Sequence, residues 1–186
     1  MTRAGAFPGL DRPGRIAGTA FAGMVIEAVV VWRFGWSPPL AAYSYLALTG
    51  AVVSATDLAA RRVPNRVVLP AYPITAALLV AACLPTGPWW PLARAGLAAA
   101  VLGGFYLALG LAFPSGMGVG DVKWAGVLGA YIGWLGWSAM VDGTLIAFIA
   151  AAGALVVARA CGRRRASLPM APFMPLGAVV AVLATK

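Results

Sequence analysis

The chain is 186 residues long, about the size of one domain; 62% of it is hydrophobic and only 10% is charged. Globular domains carry about 45–50% apolar and about 25% charged residues, so a water-soluble fold of this length would lack the charge to cover its surface. With no histidine and two cysteines, the chain cannot build a Ser-His-Asp or Cys-His catalyst, an imidazole-ligated metal site or a four-thiolate one.

The net charge of +9 would point to nucleic acid in a soluble protein. In so apolar a chain it fits arginines that anchor loops at an anionic membrane face, with lipid and not nucleic acid as the partner. Residues 1–15 read as a basic tail holding Arg3, Arg12 and Arg15. The apolar run 16–32 follows, interrupted only by Glu27. It lacks a small-x-small cleavage site and reads as a spanning helix, not a signal peptide. An ionisable group inside a span is expensive, and pairing of Glu27 with Arg33 would offset that cost.

Charge-free stretches then run over 34–56, 67–93, 95–120, 124–141, 143–158 and 166–185. A spanning helix needs roughly 20 apolar residues. The longer stretches contain their own turns, at Leu84-Pro85-Thr86-Gly87-Pro88 and at Pro114-Ser115-Gly116. The pattern predicts seven spans centred near residues 24, 48, 76, 102, 131, 151 and 177. The expected fold is therefore all-α, a polytopic membrane bundle of six to seven transmembrane helices, with residues 16–186 as its membrane domain.

Eleven of the fourteen basic residues fall on one side of that topology: three in the tail, then Arg61, Arg62, Arg66, Lys123, Arg159 and Arg163 to Arg165. Arg33, Arg94 and Lys186 fall on the other. By the positive-inside rule the N-terminus is cytoplasmic and the C-terminus outside, as expected of a multi-pass plasma-membrane protein. Cys83 and Cys161 come out on opposite faces, too far apart for a disulfide. Trp32, Trp36, Trp89 and Trp90 form an aromatic belt at the outer interface.

Five acidic residues remain to be placed. Asp11 lies in the basic tail. Asp142, in Val141-Asp142-Gly143-Thr144, reads as the start of the sixth span, where a carboxylate caps the first turn and meets the positive end of the helix dipole. Asp57 stands at the end of the second span, where a carboxylate opposes the dipole, so capping does not account for it. Asp121 follows Gly116-Met117-Gly118-Val119-Gly120 at the start of the fifth span and serves equally well as an N-cap or as a catalyst.

The topology puts Asp57 and Asp121 at the same cytoplasmic boundary. Two close carboxylates cannot both ionise cheaply, so one keeps a proton while the other acts as base. Such a pair activates water against a peptide carbonyl and protonates the leaving amine, with no cofactor or metal. Gly116, Gly118 and Gly120 leave the backbone bare, either as a flexible re-entrant turn or to admit an extended substrate. Lys123 snorkels to headgroups or holds an acidic substrate group. Arg61, Arg62 and Arg66 anchor their loop or bound a substrate groove.

Gly118-Val119-Gly120-Asp121 resembles the GxGD signature of type IV prepilin peptidases. Asp57-Leu58-Ala59-Ala60-Arg61-Arg62-Val63-Pro64-Asn65 is similar to that family's other motif, an aspartate followed by a basic stretch and a turn matching Val63, Pro64 and Asn65. Pro169-Met170-Ala171-Pro172-Phe173-Met174-Pro175-Leu176-Gly177-Ala178 resembles its Pro-rich closing segment. The resemblance covers residues 40–183. It implies an intramembrane aspartic endopeptidase that removes the short basic leader of prepilin-like or pseudopilin proteins at the cytoplasmic face, for a type IV pilus or secretion machine, with Asp57 and Asp121 both catalytic. About 40 residues precede the peptidase-like part and hold no zinc-binding cysteines, so a peptidase-only member without methyltransferase activity is expected. The competing reading is a non-catalytic membrane subunit or small transporter whose acids serve as ion sites.

Overall fold

A computed structural model describes residues 13–85, 87–113, 117–162 and 170–185. Within them the chain forms seven helices: α1 (Pro13–Phe34), α2 (Leu40–Ala60), α3 (Asn65–Cys83), α4 (Trp90–Ala112), α5 (Val119–Leu135), α6 (Trp137–Ala160) and α7 (Phe173–Ala184). Prolines and glycines do the punctuation. Pro39, Pro64 and Pro172 stand just before α2, α3 and α7, and Gly118 and Gly136 just before α5 and α6. A residue that fixes φ or lacks a Cβ suits such helix entries. The Pro114-Ser115-Gly116 turn and the basic tail through Arg12 lie outside the described residues.

The protein is a polytopic membrane bundle: α1, α3, α4 and α6 are each long and apolar enough to cross a bilayer. The helices that fall short have other surroundings. Ten of α5's 17 residues are buried, against four of α6's 24. Thus α5 faces protein nearly all round, while α6 turns most of its surface outward. α2 likewise buries Tyr43, Thr49, Thr56 and Asp57 within the bundle, where its polar groups find partners and need not meet lipid.

Small residues set the packing distance. A Cβ at Gly129 of α5 would lie 2.6 Å from the Ala98 carbonyl oxygen of α4, and Gly133 one turn on faces Ala98 as well. Gly143 and Ala147 of α6 meet Gly177 and Ala181 of α7 in the same way. This is the small-xxx-small spacing by which helices approach closely in lipid, where association rests on van der Waals contact.

Two arginines tie one end of the bundle together. Arg33, at the end of α1, donates to the carbonyls of Val182 and Thr185 at the end of α7. Arg94, near the start of α4, donates to Gly133 and Trp134 at the end of α5. Each guanidinium thus satisfies the orphan carbonyls of a neighbouring helix terminus. Trp32, Trp36, Trp89 and Trp90 are exposed at this same end. Asp57, Asp121 and the start of α7 lie at the opposite end.

Two sequence expectations need correction. Asp142 does not open α6; that helix begins at Trp137, directly after Gly136, so Asp142 is an exposed residue beyond the first turn. Glu27 does not pair with Arg33. Its Oε1 accepts a hydrogen bond of 2.6 Å from the Ser44 hydroxyl of α2, while Arg33 is engaged by α7.

Candidate active site

The site is built where α2 ends, α3 and α5 begin, and the chain enters α7. Asp57 sits one turn before the end of α2. Arg61 closes that helix in the left-handed conformation (φ 50°, ψ 42°), its N–H donating to the Asp57 carbonyl at 2.8 Å. A non-glycine residue seldom adopts this conformation, and here it turns the chain sharply toward α5. Pro64 then accepts from the N–H groups of Val67 and Val68 and starts α3.

The turned loop rests on the first turn of α5, and Gly120 makes that possible. A Cβ there would lie 2.6 Å from the Val63 Cβ and 3.1 Å from its Cγ2. The bare backbone at Gly120 is therefore used by Val63 of the chain itself. Two further bonds secure the loop. Lys123 Nζ donates to Asn65 Oδ1 at 3.2 Å, and the Tyr72 hydroxyl of α3 donates to the Lys123 carbonyl at 2.7 Å.

Both carboxylates are held from behind by backbone. Asp57 is 6% exposed, and its Oδ2 accepts from the Ala171 N–H at 3.2 Å. Asp121 is 9% exposed, and its Oδ2 accepts from the Gly118 N–H at 3.3 Å. As the third residue of α5, Asp121 thus makes the return half of a capping box. Its other oxygen, Oδ1, is buried without a protein partner. A cap needs only one oxygen, and a buried unpartnered acceptor is costly.

Asp57 and Asp121 line one cavity of about 410 Å³, and the charge of Asp57 acts directly on Asp121. Arg61, Arg62, Val63, Asn65, Lys123 and the Gly118–Gly120 segment complete the lining. Two buried carboxylates on one cavity can act as an acid–base pair when one is protonated and the other ionised.

Most of the residues singled out from sequence meet here: Asp57, Asp121, Gly118, Gly120, Lys123 and Asn65, with Pro64 in the chain between the lining residues Val63 and Asn65. Gly116 lies outside the described residues. Glu27 and Asp142 stand elsewhere. Sequence reasoning missed the Ala171 N–H, a backbone donor with no side-chain signal, and Tyr72, one aromatic in an apolar helix.

A model of the type IV leader peptidase family matches residues 44–158, well over half of the chain. The match takes in nearly all of α2, all of α3 to α5 and most of α6, and so includes both aspartates and the α2–α3 loop. No curated protein and no solved structure gives a significant match.

Proposed function

The chain belongs to the type IV leader peptidase family, and from that premise we propose that it is an intramembrane aspartic endopeptidase with Asp57 and Asp121 as its catalytic pair. Its substrates are prepilin-like or pseudopilin proteins, from which it removes the short basic leader. One carboxylate accepts a proton from water as the water oxygen bonds to the scissile carbonyl carbon; the other, protonated, donates to the carbonyl oxygen. The C–N bond then breaks as a proton passes to the leaving amine. The observation that carries this reading is the pair itself: two buried carboxylates from separate helices, each anchored by one backbone N–H, facing one cavity at the helix ends.

The placement suits hydrolysis at a membrane boundary. Water reaches a cavity at helix ends without exposing backbone to lipid. Arg61 and Arg62 of the α2–α3 loop, with Arg66 and Lys123 near the starts of α3 and α5, lie at this end, which by the positive-inside rule is the cytoplasmic one. In this reading residues 16–186 form a single peptidase domain, a bundle of six to seven spans, and residues 1–15 form a cytoplasmic basic tail. Lys123, Pro64, Asn65 and the glycines at 116, 118 and 120 shape the approach to the aspartates. Family membership sets this above a transporter or a non-catalytic subunit.

The test is to incubate the purified full chain in detergent with a leader-bearing prepilin in ¹⁸O-labelled water, with the Asp57→Asn chain as blank. One cut at the leader junction, with label in the new leader carboxylate and no cut in the blank, is the expected result. An equal cut in the blank overturns the role of Asp57.

A further inference from the structure

Tyr72 lies about 10 Å along α3 from Asn65, the first residue of that spanning helix. A leucine or phenylalanine would suit that depth, where a hydroxyl has no water to bind. The Tyr72 hydroxyl donates instead to the Lys123 carbonyl of α5 at 2.7 Å. Its ring rests on the bare backbone of Gly126, where an added Cβ would come 3.1 Å from Cζ. Gly126 cannot retreat, because α4 backs it: a Cβ at Gly103 would meet the Gly126 Cα at 3.5 Å. The seat is made for a phenol.

Tyr72 also stands between two prolines, in Pro70-Ala71-Tyr72-Pro73. Proline has no N–H, so the carbonyls of Arg66 and Leu69 receive no helical hydrogen bond, and α3 is weakest where residues 65–69 join the rest. That first stretch of α3, with the loop before it, carries Arg61, Arg62, Val63 and Asn65, one wall of the catalytic cavity. The opposite wall is the start of α5, which packs along α4 with Val122 against Gly110, Gly126 against Gly103 and Gly129 against Ala98. Asp57 and Asp121 are both buried, so a peptide main chain reaches the pair only where a wall yields. The loop wall is the one with a weak point behind it. Its contacts with α5 run in register: Val63 on Gly120, Asn65 on the Lys123 ammonium, and Tyr72 on the Lys123 carbonyl and Gly126.

Building on the hydrolytic reading above, we infer that residues 61–69 form a flap that swings on Pro70 and Pro73 to admit the peptide, and that Tyr72 is a positioning residue whose hydroxyl holds the flap closed on α5. Gly120, Lys123 and Gly126 follow three apart on α5, so the flap zips onto that helix contact by contact. Tyr72, nearest the hinge, sets the angle for the other two. Closed, the flap keeps the Asp57 end of α2 against the start of α5, which brings both carboxylates onto one peptide bond. Tyr72 touches no reacting atom and takes up no proton.

Two forms of the full chain test this. Tyr72→Phe keeps the ring on Gly126 and removes the hydroxyl; the chain with p-aminophenylalanine at 72 puts an N–H donor back in its place. Tyr72→Phe is expected to lower kcat about tenfold, the equivalent of one lost hydrogen bond, with KM changed less than about threefold. The p-amino chain should return to within about threefold of the parent. Parental kcat in Tyr72→Phe, or a p-amino chain no better than it, overturns the inference. A readout without substrate accompanies it, the distance between nitroxides on Arg66→Cys and Leu111→Cys by pulsed electron resonance. The exposed Cys161 is replaced by serine, and Cys83 is buried. In Tyr72→Phe the distances should lengthen and spread as the flap leaves α5, and an unchanged distribution overturns the flap. If the parent cleaves no prepilin, the peptidase reading fails, while the nitroxide distances still decide whether Tyr72 holds the flap.

Discussion

Gly120→Ala isolates the contact that brings the two aspartate-bearing segments together. The new Cβ would sit 2.6 Å from Val63 Cβ and 3.1 Å from Cγ2, so the α2–α3 loop or the first turn of α5 must retreat by roughly an ångström to restore ordinary contact. Overpacking of this kind costs about 1–3 kcal/mol. Alanine returns up to about 1 kcal/mol through its higher helix propensity. The net loss of stability is then about 0–3 kcal/mol, and activity falls further, since misplacement of a reacting group by about 1 Å costs on the order of 100-fold. Gly118→Ala is the control. A Cβ at Gly118 meets Asp121 Oδ2 at 3.4 Å, an ordinary contact, and the residue's φ of −80° suits alanine. Prepilin cleavage rates and thermal unfolding in detergent, read on both variants, should show a large activity loss for Gly120→Ala and a small one for Gly118→Ala. Val63→Gly in the Gly120→Ala background should recover part of the loss. The reasoning is refuted by equal activity in the two alanine variants, or by a double variant no better than Gly120→Ala alone.

Other predictions concern the bundle that carries the site. Gly129→Val should abolish folded protein in detergent, because its Cβ would press on the Ala98 carbonyl at 2.6 Å and backbone cannot yield as a side chain does; size-exclusion profiles will show it. Arg94→Met strands the terminal carbonyls of Gly133 and Trp134 and should cost about 1.5–3 kcal/mol, measured as a lowered melting temperature with the cleavage site unchanged. A reporter inserted between α3 and α4 should act outside the cytoplasm and one placed after Cys161 inside it, as topology fusions will reveal; the reverse pattern would turn the bundle over.

Much of this architecture could be read from where charges are missing. The charge-free runs locate seven helices, because ionised groups are costly along most of a helix in or beside lipid. Asp57 and Asp121 came out at one end for the same reason, each marking the limit of such a run. The reading failed where a boundary carries no charge. α5 and α6 are separated by Gly136 alone, with apolar residues on both sides, so the charge pattern points to Asp142 although the helix starts five residues earlier. The nearest opposite charge in sequence to Glu27 is Arg33, whereas its partner is the Ser44 hydroxyl, one of several polar groups on α2. The seating of Val63 on Gly120 and the Ala171 N–H behind Asp57 arise only when distant segments meet. Periodicity along one chain has no access to them.

The central claim is that Asp57 and Asp121 act as one unit, and the most direct test is prepilin cleavage by Asp57→Asn, Asp121→Asn and the double variant, each confirmed as folded. Asparagine keeps the shape and the backbone hydrogen bonds but can neither take up nor release the proton. Groups that act together are strongly non-additive, so each single variant should lose at least about 1,000-fold in kcat/KM and the double variant no more than either. A single variant that still cleaves within about tenfold of the parent, or losses that multiply in the double variant, would show that the two carboxylates do not work as a pair.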